Sequence, residues 1–230
     1  MSVIEDNIRE IRENIAEGAL KSGRNPSEVK LMAVTKTVDD DRILEAIEAG
    51  VDIMGENYIQ EAKRKIETMG VDVKWHMIGH LQSNKAKYAV RLFDMIHSID
   101  RMGLAAELDK RSAAAGRIMD ILVEVNVSGE ESKNGVGADE AFSLISQIAR
   151  LDNLSIRGLM TMPPWFDDPE DARPYFVALR ELRDRIVAEE IPGVEMRELS
   201  MGMSGDYRVA VEEGATIVRV GTAIFGARVY

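Results

Sequence analysis

The chain has 230 residues, of which 45% are hydrophobic, and this length allows a large core in either one barrel-sized domain or two small domains, of which we favour the first. Its formal net charge of −11 disfavours a nucleic-acid partner and an anionic-membrane partner, because both require a basic surface. The lack of cysteine excludes disulfides, thiolate metal sites and a cysteine nucleophile, and it is consistent with a reducing cytoplasm.

The N-terminal segment predicts an amphipathic helix that packs on the body of the protein. Ile4, Ile8, Ile11 and Ile15 recur at helical spacing, and the charged residues that start at Glu5 leave no apolar stretch of the signal-peptide kind. The acidic residues also disfavour mitochondrial targeting, and no later run reaches transmembrane length. We therefore expect a cytoplasmic protein without a membrane partner.

From residue 31 onward, strand patterns and helix patterns alternate with short joints. The predicted strands cover residues 31–35, 52–55, 74–79, 95–98, 119–127, 155–161, 195–200 and 216–221. The predicted helices cover residues 40–49, 57–69, 84–92, 101–115, 139–150, 170–189 and 205–213. Four helices end on a glycine suited to the left-handed C′ position, and these glycines are Gly50, Gly70, Gly116 and Gly214.

Eight strands favour a closed barrel over an open, doubly wound sheet. An open sheet concentrates its ligand groups at one switch point, whereas here polar residues follow the strands all along the chain. These residues are Lys36, Asn57, His80, Ser98, Asn126, Thr161, Ser200 and Thr222. Because no linker or charge run marks a second domain, we expect residues 1–230 to form a single (β/α)8 TIM-type barrel with an extra N-terminal helix.

Lys36 lies at the carboxyl end of the first predicted strand, after an apolar run that is typical of a strand covered on both faces. Ligands bind at that end in parallel α/β folds, and a lysine in a partly apolar mouth can attack a carbonyl and form a Schiff base. A solvated lysine at the end of a strand is the alternative.

Asn57 and two histidines lie near the ends of the next two strands. Asn57 is either the N-cap of the following helix or an amide presented to a ligand at the barrel mouth. His76 and His80 flank the third strand without a further ligand at metal spacing, so we expect no zinc site. We expect His76 to be a packed strand residue and leave His80 without a role.

The loops after the seventh and eighth strands are rich in small residues. Ser200 and Gly202 belong to the first loop, and Gly221 and Thr222 belong to the second. In barrels these two loops, with a helix N-terminus, commonly hold a phosphate group, because small residues let main-chain N–H groups approach its oxygens. Ordinary glycine-rich turns are the alternative.

Arg219 alternates with Val218 and Val220, so it points into the barrel if the valines face the helices. A buried arginine needs an acceptor, which is either a core carboxylate or a heterocyclic nitrogen of a ligand. A lysine for an aldehyde, a phosphate site and an arginine for a ring nitrogen together describe pyridoxal 5′-phosphate. A Schiff-base aldolase acting on a phosphorylated sugar would use only the first two.

Five motifs resemble the pyridoxal phosphate homeostasis protein family. They are A-V-T-K ending at Lys36, G-E-N-Y at 55–58, W-H-M-I-G-H-L-Q-S-N-K at 75–85, L-S-M-G-M-S-G-D at 199–206 and R-V-G-T-A-I-F-G at 219–226. The sequence departs at Met77, where phenylalanine is common, but both residues fill a core. The resemblance implies an alanine-racemase-type barrel, fold type III, without the racemase's second domain.

The resemblance also implies a site. Lys36 is similar to the Schiff-base lysine, Asn57 to a residue beside the ring, and Arg219 to the residue that faces the pyridine nitrogen. Lys133 takes the place of a second lysine that accepts the cofactor. The phosphate site resembles that formed by Ser200, Thr222 and the main chain of Gly202 and Gly221.

The resemblance favours a non-enzymatic protein that controls intracellular vitamin B6 pools. We expect a monomer that binds the cofactor and passes it transiently to apo-enzymes. The alternative is a racemase-like enzyme dependent on pyridoxal phosphate, but racemisation needs bases on both faces of the ring, and 230 residues leave no room for the domain that supplies the second base. An aldolase of the same fold would carry no visible chromophore.

Overall fold

The computed structural model describes residues 2–130 and 132–227. Its strands are β1 (Lys30–Val34), β2 (Ile53–Glu56), β3 (Lys74–Met77), β4 (Met95–Ile99), β5 (Met119–Asn126), β6 (Val136–Gly137), β7 (Leu154–Met160), β8 (Val194–Met203) and β9 (Ile217–Val220). All pairs are parallel, and the order β1, β2, β3, β4, β5, β7, β8, β9 closes because β9 pairs with β1. The two-residue β6 pairs with β5 alone. The predicted (β/α)8 barrel is confirmed.

Helices surround this barrel and alternate with its strands. They are α1 (Val3–Lys21), α2 (Asp40–Glu48), α3 (Ile59–Met69), α4 (Ala86–Leu92), α5 (Met102–Ala115), α6 (Ala138–Ile148), α7 (Arg173–Ala188), α8 (Tyr207–Glu212) and α9 (Thr222–Phe225). Short 3-10 turns cover Pro26–Glu28, Ser83–Lys85 and Pro169–Ala172. None of the helices in the described part of the chain is long and apolar enough to cross a membrane.

The element boundaries follow the sequence patterns closely, with two differences that matter for the site. The strand predicted to end at Ser200 continues to Met203, because β8 keeps pairing with β9 through an irregularity between these residues. The four-residue helix α9 was not predicted, since it is too short to show a helical period. The glycines predicted at C′ positions all adopt a positive φ, and they are Gly50, Gly70, Gly116 and Gly214.

The apolar residues form two layers. The barrel interior is filled by a small set with at most 9% exposure, consisting of Met32, Ile53, Met95, Leu122, Met160 and Ile217. A much larger cluster lies between the sheet and the helices. Fully burying one such side chain contributes about 1.5–3 kcal/mol, so these layers supply most of the favourable free energy of folding into the closed barrel.

Helix α1 packs against the barrel's outer helices, as predicted. Its four isoleucines are buried, and α1 contacts α2, α8 and α9. Asn7 Nδ2 donates to the main-chain oxygen of Ile224 at 2.9 Å, and Asn14 Nδ2 donates to the Tyr207 hydroxyl at 2.9 Å. These bonds attach α1 to the segments that follow β8 and β9.

Candidate functional site

The predicted site residues lie at the carboxyl ends of neighbouring barrel strands. Lys36 follows β1, Asn57 follows β2, and Arg219 lies in β9, which pairs with β1. Gly221 follows β9 and lies against the end of β1, since a Cβ atom added to it would lie 3.4 Å from Val34. The fold therefore brings these parts of the chain to one mouth of the barrel.

Arg219 points into the barrel, as the alternation in β9 predicts, and is only 3% exposed. Its Nη1 donates to Ser200 Oγ at 2.8 Å, and its Nη2 donates to the main-chain oxygen of Thr161 at 2.8 Å. Burial lowers the pKa of Arg219 to about 10, while Asp206 and Glu124 raise it. The guanidinium thus stays charged at neutral pH between two neutral acceptors.

Ser200 occupies the barrel interior, and its hydroxyl has partners other than the expected phosphate. The residue is fully buried, and Oγ lies 3.0 Å from His97 Nδ1 as well as accepting from Arg219. The extension of β8 beyond Ser200 explains this placement, because the strand ends three residues later, at Met203.

Ser204 follows β8 directly, and its hydroxyl connects the two small-residue loops. It was not predicted from the sequence. Its Oγ accepts hydrogen bonds from the main-chain N–H groups of Gly221 and Ala223, each at 3.2 Å. The hydroxyl thus lies at the N-terminus of α9, where Thr222 is the first, exposed residue. A serine directly after a strand and before Gly205 was the available signal.

Gly202 lies in the extended carboxyl end of β8, just before the first of these loops. Its φ of +91° favours glycine, and a Cβ atom there would lie 2.6 Å from Ala210 Cβ and 3.0 Å from Tyr207 Cα. The end of β8 can therefore approach α8 only because residue 202 lacks a side chain.

Lys36 is half-buried and lies in a tight turn between β1 and α2. The main-chain N–H of Val38 donates to the Thr35 oxygen at 3.0 Å, which closes a four-residue turn with Lys36 in its second position. Thr37, in the third position, has a φ of +62°, which is unusual for a β-branched residue. Such a conformation costs on the order of 1–3 kcal/mol and persists only where neighbouring contacts enforce it.

A buried ion cluster holds this turn on both sides of Lys36. Lys65 Nζ of α3 donates to the Thr35 main-chain oxygen at 2.6 Å, and it also binds Glu56 at 2.8 Å and Glu61 at 2.7 Å. The N–H of Thr37 donates to Glu61 at 2.6 Å. Lys65 and Glu56 are fully buried, and burial raises the pKa of Glu56 against the opposing effect of Lys65.

Asn57 does not cap the following helix, because the N-cap of α3 is Tyr58. Asn57 Oδ1 is buried without a hydrogen-bond partner among the described residues. The segment of Asn57 packs closely against Gly79, where a Cβ atom would lie 2.4 Å from the main-chain oxygen of Asn57. A buried acceptor without a partner is costly, which favours the interpretation that the amide is presented to a ligand.

Glu124 is a second site residue that the sequence analysis missed. It lies in β5 with 5% exposure, in register with Met160 of β7, whose side chain faces the interior. Burial raises the pKa of Glu124 to about 7; Asp100 adds to the shift and Arg219 opposes it. The apolar residues around it in β5 concealed Glu124. Its position two residues after Leu122, which faces the interior, was the signal that its carboxylate also points inward.

Two histidines extend the polar interior below Arg219. His76 Nδ1 lies 3.0 Å from His97 Nε2, and His97 Nδ1 reaches Ser200. Burial lowers the pKa of His76 to about 3 and that of His97 well below its ordinary value, so both imidazoles are neutral. His76 is thus a packed strand residue, as expected, with a polar partner that only the fold reveals.

Two residues singled out from the sequence lie apart from these contacts. Lys133 is half-buried in the turn after β5, where its main-chain N–H donates to the Glu130 oxygen at 3.0 Å. His80 is exposed after β3, with Nδ1 3.7 Å from Asp100 Oδ2. Neither side chain is among the hydrogen-bond partners of Arg219, Ser200 or Ser204 in the described chain.

Solved structures resemble this barrel along most of its length. An unknown protein from Bifidobacterium adolescentis is 40% identical with a TM-score of 0.90, covering 97% of this chain and 94% of its own. PipY from Synechococcus elongatus, solved with pyridoxal phosphate bound, is 37% identical with a TM-score of 0.82 over 94% and 100% of the two chains. Alanine racemase from Corynebacterium glutamicum shares the fold, at 16% identity and a TM-score of 0.71 over 97% of this chain and 62% of its own.

Sequence comparison gives the same grouping. Residues 4–229 match the family model of the alanine racemase N-terminal domain. The pyridoxal phosphate homeostasis protein of Aquifex aeolicus is 44% identical over 98% of both chains, and that of Escherichia coli K12 is 39% identical over 100% of this chain and 99% of its own. Because this similarity extends over the whole length of both relatives, the chain belongs to the pyridoxal phosphate homeostasis protein family.

Proposed function

We propose that this chain binds pyridoxal 5′-phosphate in the carboxyl-end mouth of its barrel and serves vitamin B6 homeostasis without catalytic turnover. The observation that carries the proposal is Arg219, whose partners are a hydroxyl and a main-chain carbonyl. An arginine that served only the core would be expected to pair with a carboxylate. One held by neutral acceptors is able to donate to the ring nitrogen of a heterocyclic ligand. The cofactor bound to PipY supports the same ligand here.

The residues around the mouth fit the groups of this cofactor. In our proposal, Lys36 carries it as a Schiff base: the carbon–nitrogen double bond replaces the aldehyde carbonyl, whose oxygen leaves as water. Asn57 Oδ1, the buried acceptor without a partner, would lie beside the ring. When bound, the cofactor supplies an electron-withdrawing ring, and Arg219 as a permanent cation disfavours protonation of that ring and weakens this effect.

The phosphate group would be held by the loops after β8 and β9. The main-chain N–H groups of Gly221 and Ala223, which donate to Ser204 Oγ in this structure, would turn to the phosphate oxygens. Gly202 would leave room at the end of β8, and the hydroxyls of Ser204 and Thr222 would add donors at the start of α9. We assign Ser204 to this role and Ser200 to the support of Arg219, since the Ser200 hydroxyl already has two partners in the interior.

The proposal places the protein in the cytoplasm as a monomer that transfers the cofactor transiently to apo-enzymes. Its acidic, cysteine-free composition supports that setting. Access from the mouth is supported by Tyr58 after β2 and Trp165 after β7, which are 61% and 78% exposed. The curated relatives are named as homeostasis proteins, which supports a role without turnover.

Reduction of the protein with borohydride in the presence of the cofactor tests the binding site. Titration of the wild type should produce a visible absorption band that borohydride removes. Peptide mass spectrometry should then place a phosphopyridoxyl group on the peptide that contains Lys36. Lys36→Ala should lose the band, whereas the control Lys133→Ala should keep it. Labelling confined to Lys133 or scattered over surface lysines would contradict the assignment.

The racemase-like alternative requires a separate test. Cofactor-loaded protein should show negligible interconversion of amino-acid enantiomers, because racemisation needs a base on each face of the ring and our proposal assigns only Lys36 to such a position. Chiral chromatography after long incubations is the measurement. Turnover at typical enzyme rates, roughly 1 to 1000 per second, would replace the homeostasis proposal with an enzymatic one.

A further inference from the structure

A line of four hydrogen-bonded side chains crosses the barrel interior. His76 of β3 contacts His97 of β4, and His97 contacts Ser200 of β8, each pair at 3.0 Å. Ser200 then accepts from Arg219 of β9 at 2.8 Å. All four residues are at most 4% exposed. Since β3 and β4 lie across the barrel from β8 and β9, the line spans the space between them.

The surroundings make this line unusual. Apart from Glu124, the cluster that fills this interior consists of methionine, isoleucine and leucine, and a polar group buried there without a partner costs about 1–3 kcal/mol. Apolar side chains could fill the space without that cost. The polar line is what a buried guanidinium needs when its partner is a hydroxyl, because the hydroxyl proton must be directed away from the arginine.

Only one hydrogen-bond direction satisfies every group in the line. Arg219 is a donor, so Ser200 Oγ must accept from it. The Ser200 hydroxyl can then donate to His97 Nδ1, which leaves the His97 proton on Nε2, where it donates to His76 Nδ1. In the reverse tautomer, His97 Nδ1 would carry the proton, and both His97 and Arg219 would donate to Ser200 Oγ. The hydroxyl proton of Ser200 would then have no acceptor in the line.

The line ends in a polar environment at the opposite end of the barrel. In the favoured arrangement His76 carries its proton on Nε2, and His76 lines a cavity of about 320 Å³ formed by the amino ends of the strands. Lys30 and Lys74 also line this cavity and, after burial, lower the pKa of His76 further. Both imidazoles therefore remain neutral, which avoids placing a second cation beside Arg219.

We propose that His97 is a positioning residue for Arg219: because His97 Nδ1 accepts a hydrogen bond from the Ser200 hydroxyl, a lone pair of Ser200 Oγ is turned toward the guanidinium, which orients Arg219 at the cofactor's ring nitrogen. His76 sets the tautomer of His97 in the same way. This inference rests on the proposed function, and it adds residues on β3 and β4 to a site that otherwise depends on β1, β2, β8 and β9.

Three substitutions at His97 separate the two contacts of its ring. Asparagine retains a polar atom near the Nδ1 position, glutamine retains one near Nε2, and leucine retains neither. We expect His97→Asn to bind pyridoxal 5′-phosphate nearly as the wild type does. His97→Gln, His97→Leu and Ser200→Ala should weaken binding about tenfold or more, as expected for the loss of one hydrogen bond to a charged group. Absorbance titration gives these affinities.

An analogue in which a C–H group replaces the ring nitrogen distinguishes positioning from general damage. Because His97 acts only through Arg219 and the nitrogen, wild type and His97→Leu should bind this analogue with the same affinity. Equal losses for the cofactor and the analogue would overturn the proposal, as would unchanged cofactor affinity in His97→Leu. Failure of the wild type to bind the cofactor would instead refute the proposed function. If His97→Leu does not fold, the asparagine and glutamine variants provide the comparison.

The tautomers can be observed without any cofactor. The chain has three histidines, so a nitrogen-15 spectrum of histidine-labelled protein should be simple to assign, with exposed His80 as the internal reference. We expect neutral rings with the proton on Nε2 for both His76 and His97. A proton on Nδ1 of His97, or an imidazolium at neutral pH, would contradict the proposed direction of the line.

Discussion

The pKa of Arg219 results from opposing effects of burial and of two carboxyl groups. Burial lowers its pKa, and Asp206 and Glu124 raise it from a distance, while its direct contacts are neutral. The two carboxyls are themselves affected by burial, which raises the pKa of each. Charge balance in the mouth therefore depends on groups that do not touch the guanidinium, and Glu124 is the one whose pKa lies near neutrality.

Replacing Glu124 by glutamine should change how stability depends on pH. The folded-state pKa of about 7 exceeds the ordinary value of 4.5, so the contribution of this group is present at low pH and is lost as pH rises from 4.5 to 7. We compare the free energy of unfolding of Glu124→Gln with that of the wild type. This difference should favour the variant by about 3 kcal/mol more at pH 8 than at pH 4.5. Urea unfolding at both pH values measures this, with exposed Glu140→Gln as the control. An unchanged difference would show that Glu124 is not perturbed.

The phosphate loops should respond weakly to the loss of one hydroxyl. Ser204→Ala or Thr222→Ala removes a single donor and should weaken cofactor binding by about tenfold, because main-chain N–H groups remain. Pyridoxal, which lacks the phosphate, should bind the wild type far more weakly than either variant binds the phosphorylated cofactor. Equilibrium titration ranks the three. Equal binding of pyridoxal and the cofactor to wild type would mean that these loops do not hold the phosphate.

Among the secondary-structure elements, the turn between β1 and α2 depends most on a neighbour. Its strained Thr37 is held by Glu61, and Thr35 is held by Lys65, both from α3. Lys36 lies between these two held positions. The position of Lys36 is therefore set in part by contacts from the neighbouring helix α3.

Removing the buried lysine of α3 should destabilise the protein strongly. Lys65→Met leaves the fully buried Glu56 without its cation, and breaking such a pair costs about 3–5 kcal/mol. The control Lys63→Met removes an exposed pair with Glu67 on the same helix and should cost less than about 1 kcal/mol. Urea unfolding gives both values. Adding Glu56→Gln to Lys65→Met should recover part of the loss, and a similar cost for both single variants would argue against the cluster.

The whole molecule should become less stable in mild acid because two histidines are buried in neutral form. Their folded-state pKa values lie below the ordinary 6.5, so the unfolded chain binds protons that the folded chain does not, and stability is lost as pH falls below about 6.5. Between pH 7 and pH 5, His76 alone should contribute a loss of about 2 kcal/mol. His76→Asn should remove that share of the pH dependence, whereas exposed His80→Asn should leave it intact. Unfolding curves across this range are the measurement.

Local sequence was sufficient for the elements, the fold class and the family. The apolar runs, the glycines at helix ends and the isoleucines of α1 are local patterns, and they predicted strands and helices close to those observed, because burial on both faces and a left-handed C′ residue leave a direct trace in the sequence. Lys36, Asn57 and Arg219 could be singled out because each ends or punctuates a strand. Their roles toward the cofactor, and the single domain over residues 1–230, stay predictions.

The tertiary structure alone decided which polar groups meet. Ser200 and Ser204 look alike in sequence, but β8 continues past the first, so one hydroxyl faces Arg219 and the other faces the start of α9. His76 and His97 are far from Ser200 along the chain, and they meet it only because closure brings β3 and β4 across from β8. Such contacts depend on strand register and on the alternation of side chains across a closed sheet, which no local pattern encodes.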